Sequence, residues 1–267
     1  MTASEEALRS VETNRFRFRP IAALHVALIM AWTVSATFVL GVVAVSVSVF
    51  SRSGNLVHGI ARLWGRSILL VSGVRVAVRG REHVDPGRAC IFMANHQSNY
   101  DIPVLLGHLP VQFRWLAKAE LFRIPLFGPA MRGAGYLPID RRNHAAAFQS
   151  LRSLREAAAK IRAGASIVIF PEGTRSPDGE LKSFKKGGFV LALQAGAPIV
   201  PVAIRGTREV MPKGSLWIRP GRVTVTIGKP IPVAGGGFPN KEALMEAVRR
   251  AILAASGAEG TGGPCCD

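Results

Sequence analysis

Cysteine, acidic side chains and aromatic rings are all scarce in this sequence, and each shortage closes a class of structure. Three cysteines in 267 residues, with no C-x-x-C among them, exclude a disulfide framework, a zinc ribbon and a thioredoxin-type redox site. Only 17 Asp+Glu stand against 34 Lys+Arg, a formal net charge of +17, so the chain must meet a polyanion. Nucleic acid, an anionic membrane and a phosphorylated substrate are the three candidates. Aromatics make up 7% of the chain and its cations are spread along it, with no nucleic-acid-binding motif, which counts against nucleic acid. At 48% hydrophobic the sequence is no disordered polycation, and its length suffices for a domain with a sizeable core.

Charge is also missing locally. From Ile21 to Phe50 there is no charged residue and no proline, and His25 is the only strongly polar interruption. As a helix this run spans about 45 Å at ~1.5 Å per residue, more than a hydrocarbon core of roughly 30 Å. It is too long for the apolar part of a secretory signal and reads as a retained membrane segment. Arg9, Arg15, Arg17 and Arg19 precede it and Arg52, Arg62 and Arg66 follow, so the positive-inside rule favours neither end. Symmetric flanks suit a segment whose ends stay on one face of the bilayer, or an oblique entry and return; a single span is the alternative. Leu56, Ile60, Leu63, Trp64, Ile68 and Leu69, with arginines between, form an amphipathic interfacial helix behind it.

Past Ser72-Gly73 short apolar runs alternate with amphipathic ones. Strands are predicted at Val74–Val78, Cys90–Met93, Gln112–Leu116, Gly135–Ile139, Ser166–Phe170, Ile199–Ile204 and Arg222–Ile227. Helices are predicted at His144–Arg162, Gly188–Gln194 and Lys241–Ala255. The pattern implies an α/β domain with a mixed, mainly parallel sheet flanked by helices, preceded by the membrane-embedded helical segment. The corresponding division is a basic segment 1–20, a membrane-anchoring region 21–72, the α/β domain 73–256 and a Gly-rich disordered tail 257–267.

Two loops at strand exits carry chemistry, where open α/β sheets place ligand sites. Asn95-His96-Gln97-Ser98-Asn99-Tyr100-Asp101 follows the second strand. If its turn-forming residues bring His96 and Asp101 together, the carboxylate holds one imidazole nitrogen and leaves the other to take a proton. Taken alone, a capping Asp and an ordinary loop His account for the same residues. Phe170-Pro171-Glu172-Gly173-Thr174-Arg175-Ser176 follows another strand. Pro171 and Gly173 tighten this loop, turning amides outward, and Arg175 can fork onto a phosphate. Lys182, Lys185 and Lys186 supply further donors or simply a solvated face. Weaker clusters are Gly135–Arg142, ending in Arg141-Arg142, and Trp115–Leu121, where Lys118 and Glu120 can pair or bind ligand. There is no G-x-S-x-G, G-x-G-x-x-G, Walker A or H-E-x-x-H pattern.

His-x-x-x-x-Asp followed at this distance by Phe-Pro-Glu-Gly-Thr-Arg-Ser resembles the glycerolipid acyltransferases, most closely the 1-acyl-glycerol-3-phosphate acyltransferases. Lys118–Leu121, Gly135–Arg141 and the apolar Ile199–Ile204 are similar to that family's other blocks, in order. The resemblance implies a membrane-bound enzyme in which His96, oriented by Asp101, deprotonates the free hydroxyl of a lysophospholipid. The oxygen then attacks the thioester of acyl-CoA or acyl-carrier protein, giving phosphatidic acid. Glu172, Gly173, Thr174 and Arg175, helped by Arg141 and Lys118, are implied to hold the acceptor phosphate. No cofactor, metal or nucleic acid is implied. The partners are an anionic phospholipid membrane, the two substrates and, for one donor, acyl-carrier protein; the location is the cell membrane, on the cytoplasmic face of the inner membrane in a bacterium. Glycerol-3-phosphate, another lysophospholipid or a lyso aminolipid are alternative acceptors, and a non-catalytic basic membrane-surface module is the alternative in kind. Cys265-Cys266 precedes a terminal Asp and so is not a prenylation signal.

Overall fold

The computed structural model describes residues 19–51, 53–139, 144–234 and 238–257. Residues 1–18, Arg141 and the cysteine pair of the tail lie outside these. The long uncharged run forms one helix, α1 (Arg19–Phe50), and the amphipathic stretch forms α2 (Asn55–Val71). A continuous helix of 32 residues is about 48 Å long, so 21–50 does not return on itself. The return is made by α2. Trp32 Nε1 donates to Ser67 Oγ (3.2 Å) and Trp64 Nε1 to Thr37 Oγ1 (2.9 Å), a pairing that makes the two helices an antiparallel hairpin. Thr33 and Thr37 hydroxyls donate back to carbonyls four residues earlier, which satisfies polar groups that an apolar surrounding would leave unpaired. Gly54, at φ +71°, makes the turn; a β-carbon there would collide with the Ala134 carbonyl.

The α/β body follows as β1 (Val74–Arg79), β2 (Ile91–Ala94), α3 (Asp101–His108), β3 (Phe113–Lys118), α4 (Phe127–Gly133), β4 (Leu137–Ile139), α5 (His144–Arg162), β5 (Ser166–Ile169), α6 (Gly187–Ala195), β6 (Ile199–Arg205), α7 (Thr207–Val210), β7 (Gly221–Ile227) and α8 (Lys241–Ser256). These make one seven-stranded sheet in the order β1-β7-β6-β2-β5-β3-β4. All neighbours pair in parallel except β6 with β7. The mixed, mainly parallel architecture is therefore as the alternation predicts. Strand β3 runs to Lys118 rather than ending at Leu116, and β4 begins only at Leu137. Pro138 is tolerated there because β4 is an edge strand that pairs on one side only. The seven-residue α4 was not expected: Pro129 and two glycines disguise it.

The central strands are buried on both faces, and period two divides their side chains between two cores. Phe92, Val168 and Val200 face one core with Trp115, Val104 and residues of the hairpin. Ile91, Met93, Ile167 and Ile169 face the other, with Leu154, Leu191 and Leu244 of α5, α6 and α8. Arg114, only 5% exposed, docks the hairpin onto the sheet by donating to the Ser53 carbonyl and Asn55 Oδ1.

One buried polar side chain ties β2 to β6 just where β2 ends. Asn95 Nδ2 donates to the Ile204 carbonyl (2.9 Å), and the Ile204 amide donates to Asn95 Oδ1 (2.7 Å). Truncation to Asn95→Ala strands both backbone groups of Ile204, at about 1–3 kcal/mol each. A fall in unfolding free energy of about 2–6 kcal/mol is expected for this variant, measured by denaturant titration in detergent. An unchanged midpoint would show the bridge to be dispensable.

Candidate active site

The parallel strands β2, β5 and β3 end on one edge of the sheet, and the two motif loops leave from β2 and β5. The 95–101 turn closes as its composition allows. His96 Nδ1 lies 2.7 Å from Asp101 Oδ2, and the same oxygen accepts the amides of Gln97 (2.7 Å) and Ser98 (2.9 Å). Asp101 is fully buried and opens α3. It therefore both caps the turn and holds the imidazole. With the carboxylate ionised, Nδ1 carries the ring hydrogen, and Nε2 takes no partner among the described residues. Ser98 Oγ fixes the turn from below by donating to the Met211 carbonyl (2.7 Å). The imidazole stacks on Phe170 (centroids 4.0 Å apart, 10° between planes), and Phe170 stacks in turn on Trp115.

The second loop is stitched to the first through its backbone. The Ser176 amide donates to the His96 carbonyl (2.7 Å). Glu172 is 2% exposed; Oε1 accepts the His96 amide (2.7 Å) and Oε2 the Lys182 amide (3.0 Å). Burial pushes its carboxyl above the ordinary value, and the two amide donors pull it part of the way back. Both of its oxygens are therefore taken up by backbone amides. The side chain is a strut between the two loops.

Gly173, Thr174 and Arg175 line the mouth of a cavity of about 730 Å³ that His96 also faces. Lys118 lines it as well, with Nζ 3.5 Å from Glu120 Oε1. Lys186 is turned elsewhere, 3.4 Å from Glu242 on α8. Arg141 falls outside the described residues. Away from the dyad the cavity passes between the sheet and the hairpin, where Ala44, Val57, Ala61, Ala130, Met131 and Ala134 form an apolar wall. Four of these six are alanines, and their small side chains leave the room. Tyr136 lines the far part, its hydroxyl 2.9 Å from His58 Nδ1.

Sequence reasoning missed Arg249 of α8, whose guanidinium donates to the Leu181 (2.9 Å) and Lys182 (3.0 Å) carbonyls. It thereby steadies the residue whose amide reaches Glu172. No local signal announces it: it lies 67 residues from its partner.

Comparison with known proteins bears on the same region. A family model described as Acyltransferase matches residues 75–205, from β1 through β6. A chloroplastic 1-acyl-sn-glycerol-3-phosphate acyltransferase of Brassica napus is 39% identical over 176 residues, covering 65% of this chain and 50% of its own. The chain spans about half the length of such plant and algal relatives. The human 1-acyl-sn-glycerol-3-phosphate acyltransferase beta is 31% identical over 217 residues, covering 80% of this chain and 77% of its own. The crystal structure of the 1-acyl-sn-glycerophosphate acyltransferase PlsC from Thermotoga maritima superimposes with a TM-score of 0.75 at 28% identity, over 91% of this chain and 99% of that one. With sequence likeness reaching across most of the human relative and fold likeness across the whole of the bacterial one, this chain belongs to the 1-acyl-sn-glycerol-3-phosphate acyltransferase family.

Proposed function

We propose that the protein transfers an acyl group from a thioester, of CoA or of acyl-carrier protein, to the free hydroxyl of 1-acyl-glycerol-3-phosphate, giving phosphatidic acid. The observation that carries this reading is the hydrogen bond between His96 and the buried Asp101 beside an apolar cavity that Arg175 also lines. Nε2 of His96 removes the hydroxyl proton as the oxygen attacks the thioester carbonyl; Asp101 stabilises the imidazolium that forms. The C–S bond then breaks, and the imidazolium returns its proton to the leaving thiolate. No protein nucleophile and no cofactor enters this sequence. Arg175, with Gly173 and Thr174, holds the acceptor phosphate, and Lys118, which lines the same cavity, adds positive charge. The alanine-lined part of the cavity accepts an acyl chain. The activity for which the homologous proteins are named supports the acceptor; the donor rests on chemistry common to both thioesters.

The hairpin supplies the membrane contact in this proposal. Ile21, Leu24, Val34, Phe38, Val49 and Phe50 of α1 are each more than half exposed, as are Leu56, Leu63 and Leu70 of α2. An apolar surface of that extent on a helix free of charge along residues 21–50 is stable against lipid and not against water. Because the cavity lies between hairpin and sheet, a lysophospholipid can enter it without leaving the bilayer. The surplus cations of the chain seat the body on an anionic surface.

The dyad is tested by CoA release from palmitoyl- or oleoyl-CoA with lysophosphatidic acid, in detergent. His96→Ala is expected to abolish turnover and Asp101→Asn to lower kcat by about 10²–10⁴-fold. Robust turnover by a well-folded His96→Ala protein would sink the proposed base. For the phosphate anchor, Arg175→Ala is expected chiefly to raise KM for the phosphorylated acceptor, because an interaction present already in the ground state is lost. Unchanged KM and kcat would remove Arg175 from the site. Glu172→Gln keeps one amide acceptor and turns an N–H₂ toward the other amide. A fall in kcat of about tenfold, larger than any change in KM, is expected from displacement of the His96 backbone. The opposite pattern, a raised KM with kcat intact, would return Glu172 to the phosphate site.

A further inference from the structure

The ten residues from Met211 to Pro220 join α7 to β7 and hold an apolar pair out in solvent. Both ends of this segment are pinned. Met211 and Ile218 are buried, and the Arg219 amide donates to the Val210 carbonyl (2.9 Å). Inside it, the Ser215 amide donates to the Pro212 carbonyl and the Trp217 amide to Ser215 Oγ. The segment is thus folded, and it displays Leu216 and Trp217 at 70% and 39% exposure. Single exposed apolar residues are ordinary, but an adjacent Leu-Trp pair on a pinned loop adds to the apolar surface only if other apolar groups share its side of the molecule.

They do. At one end the loop touches the candidate active site: the Met211 carbonyl accepts from Ser98 Oγ, and Lys213 Nζ donates to the Arg175 carbonyl (2.9 Å). At the other, Pro220 lies where a β-carbon on Gly73 would meet it, and the Gly221 amide donates to the Gly73 carbonyl. Gly73 stands three residues past Leu70, which is 80% exposed. The antiparallel hairpin brings the first turns of α1 level with the end of α2 and beyond it, carrying exposed Ile21, Leu24 and Leu28. The loop therefore runs from the cavity mouth to the end of the hairpin, along the edge where the catalytic strands finish. Its flanks are cationic. Lys213 and Arg219 bracket the pair, and Arg75 and Arg222, direct partners across β1 and β7, stand at the same end of those strands. All four are exposed, and none has an ion-pair partner among the described residues.

We propose that Leu216 and Trp217 form a second membrane contact, which with the hairpin seats the cavity mouth on an anionic bilayer. Trp is suited to this depth because its ring is apolar and its N–H can stay hydrated, and flanking Lys and Arg meet lipid phosphates. Continuity with the exposed face of the hairpin and the unpaired cations decide for a bilayer over a protein partner. The inference rests on the membrane reading of the hairpin given above, and it adds that the mouth itself is held at the headgroups. A lysophospholipid then presents its hydroxyl to His96 while its chain stays in lipid.

The test uses the full chain with Cys265→Ser and Cys266→Ser, reconstituted in vesicles of phosphatidylcholine and phosphatidylglycerol. Leu216→Cys carries an environment-sensitive nitrobenzoxadiazole probe, and Phe38→Cys carries the same probe on α1 in a second sample. The expected result at 216 is quenching by lipids spin-labelled near the headgroup together with protection from aqueous iodide. At 38, quenching by lipids labelled deep in the chain is expected. Iodide quenching at 216 while 38 remains lipid-quenched overturns this proposal and leaves the hairpin reading standing. Iodide quenching at both positions overturns the hairpin reading as well. Protection at 216 from iodide and lipid labels alike means that protein covers the loop, which also overturns the proposal. In activity, a Leu216→Ser, Trp217→Ser double variant is expected to lose about tenfold in turnover of vesicle-embedded lysophosphatidic acid. Its turnover of a short-chain, water-soluble acceptor should match wild type. Equal loss on both acceptors, or none on vesicles, overturns the proposal.

Discussion

Asp101 is a carboxylate with no exposed surface, and the turn before α3 is organised around it. One of its oxygens gathers the imidazole and two successive amides. Such a convergence is possible only if residues 96–98 wrap tightly round the start of α3, so the charge dictates the turn as much as the turn positions the charge. The turn in turn requires a firm base. Asn95 supplies it through two hydrogen bonds to β6, and Glu172 supplies it through the His96 amide. A buried charge that loses a partner costs several kcal/mol, which makes this cluster intolerant of half-measures. That intolerance suits the proposed base, whose ring must point one way.

The second constraint is solvation. The +17 charge and the apolar run seem at odds in a water-soluble protein, but the fold separates them. Apolar surface gathers on the hairpin, and the sheet edge near the cavity carries exposed arginines and lysines. In the proposed reaction these meet the two halves of one kind of molecule, a phospholipid with an anionic head and apolar tails. The cavity continues the same division on a smaller scale, with Arg175 and Lys118 at its mouth and alanines deeper inside.

Much of the fold was legible because period and composition act locally. Helix α5 has the bounds that its apolar stripe predicts, and β5 and β7 match their β-branched runs to within a residue at each end. Helix α4 was not legible, since Phe127–Gly133 contains residues that favour a break; packing of Met131 and Gly128 into the body overrides that preference. The pairing of His96 with Asp101 could be stated from sequence only as a possibility, for five residues' separation meets in a turn and diverges in a helix.

The elements, their alternation, the charge-free helix and the two polar loops at strand exits are all written in local pattern. Those follow from interactions between residues near one another in the chain. The tertiary structure alone decided which loop bears on which. Glu172 reads in sequence as part of an anion cradle, and only the fold shows one of its oxygens on the His96 amide. Arg249 has no motif at all and works only because α8 crosses the far side of the sheet beside Leu181 and Lys182. The cavity exists only between the hairpin and the sheet. Each of these depends on groups far apart in sequence meeting at hydrogen-bond or van der Waals range, and no local pattern encodes such a distance.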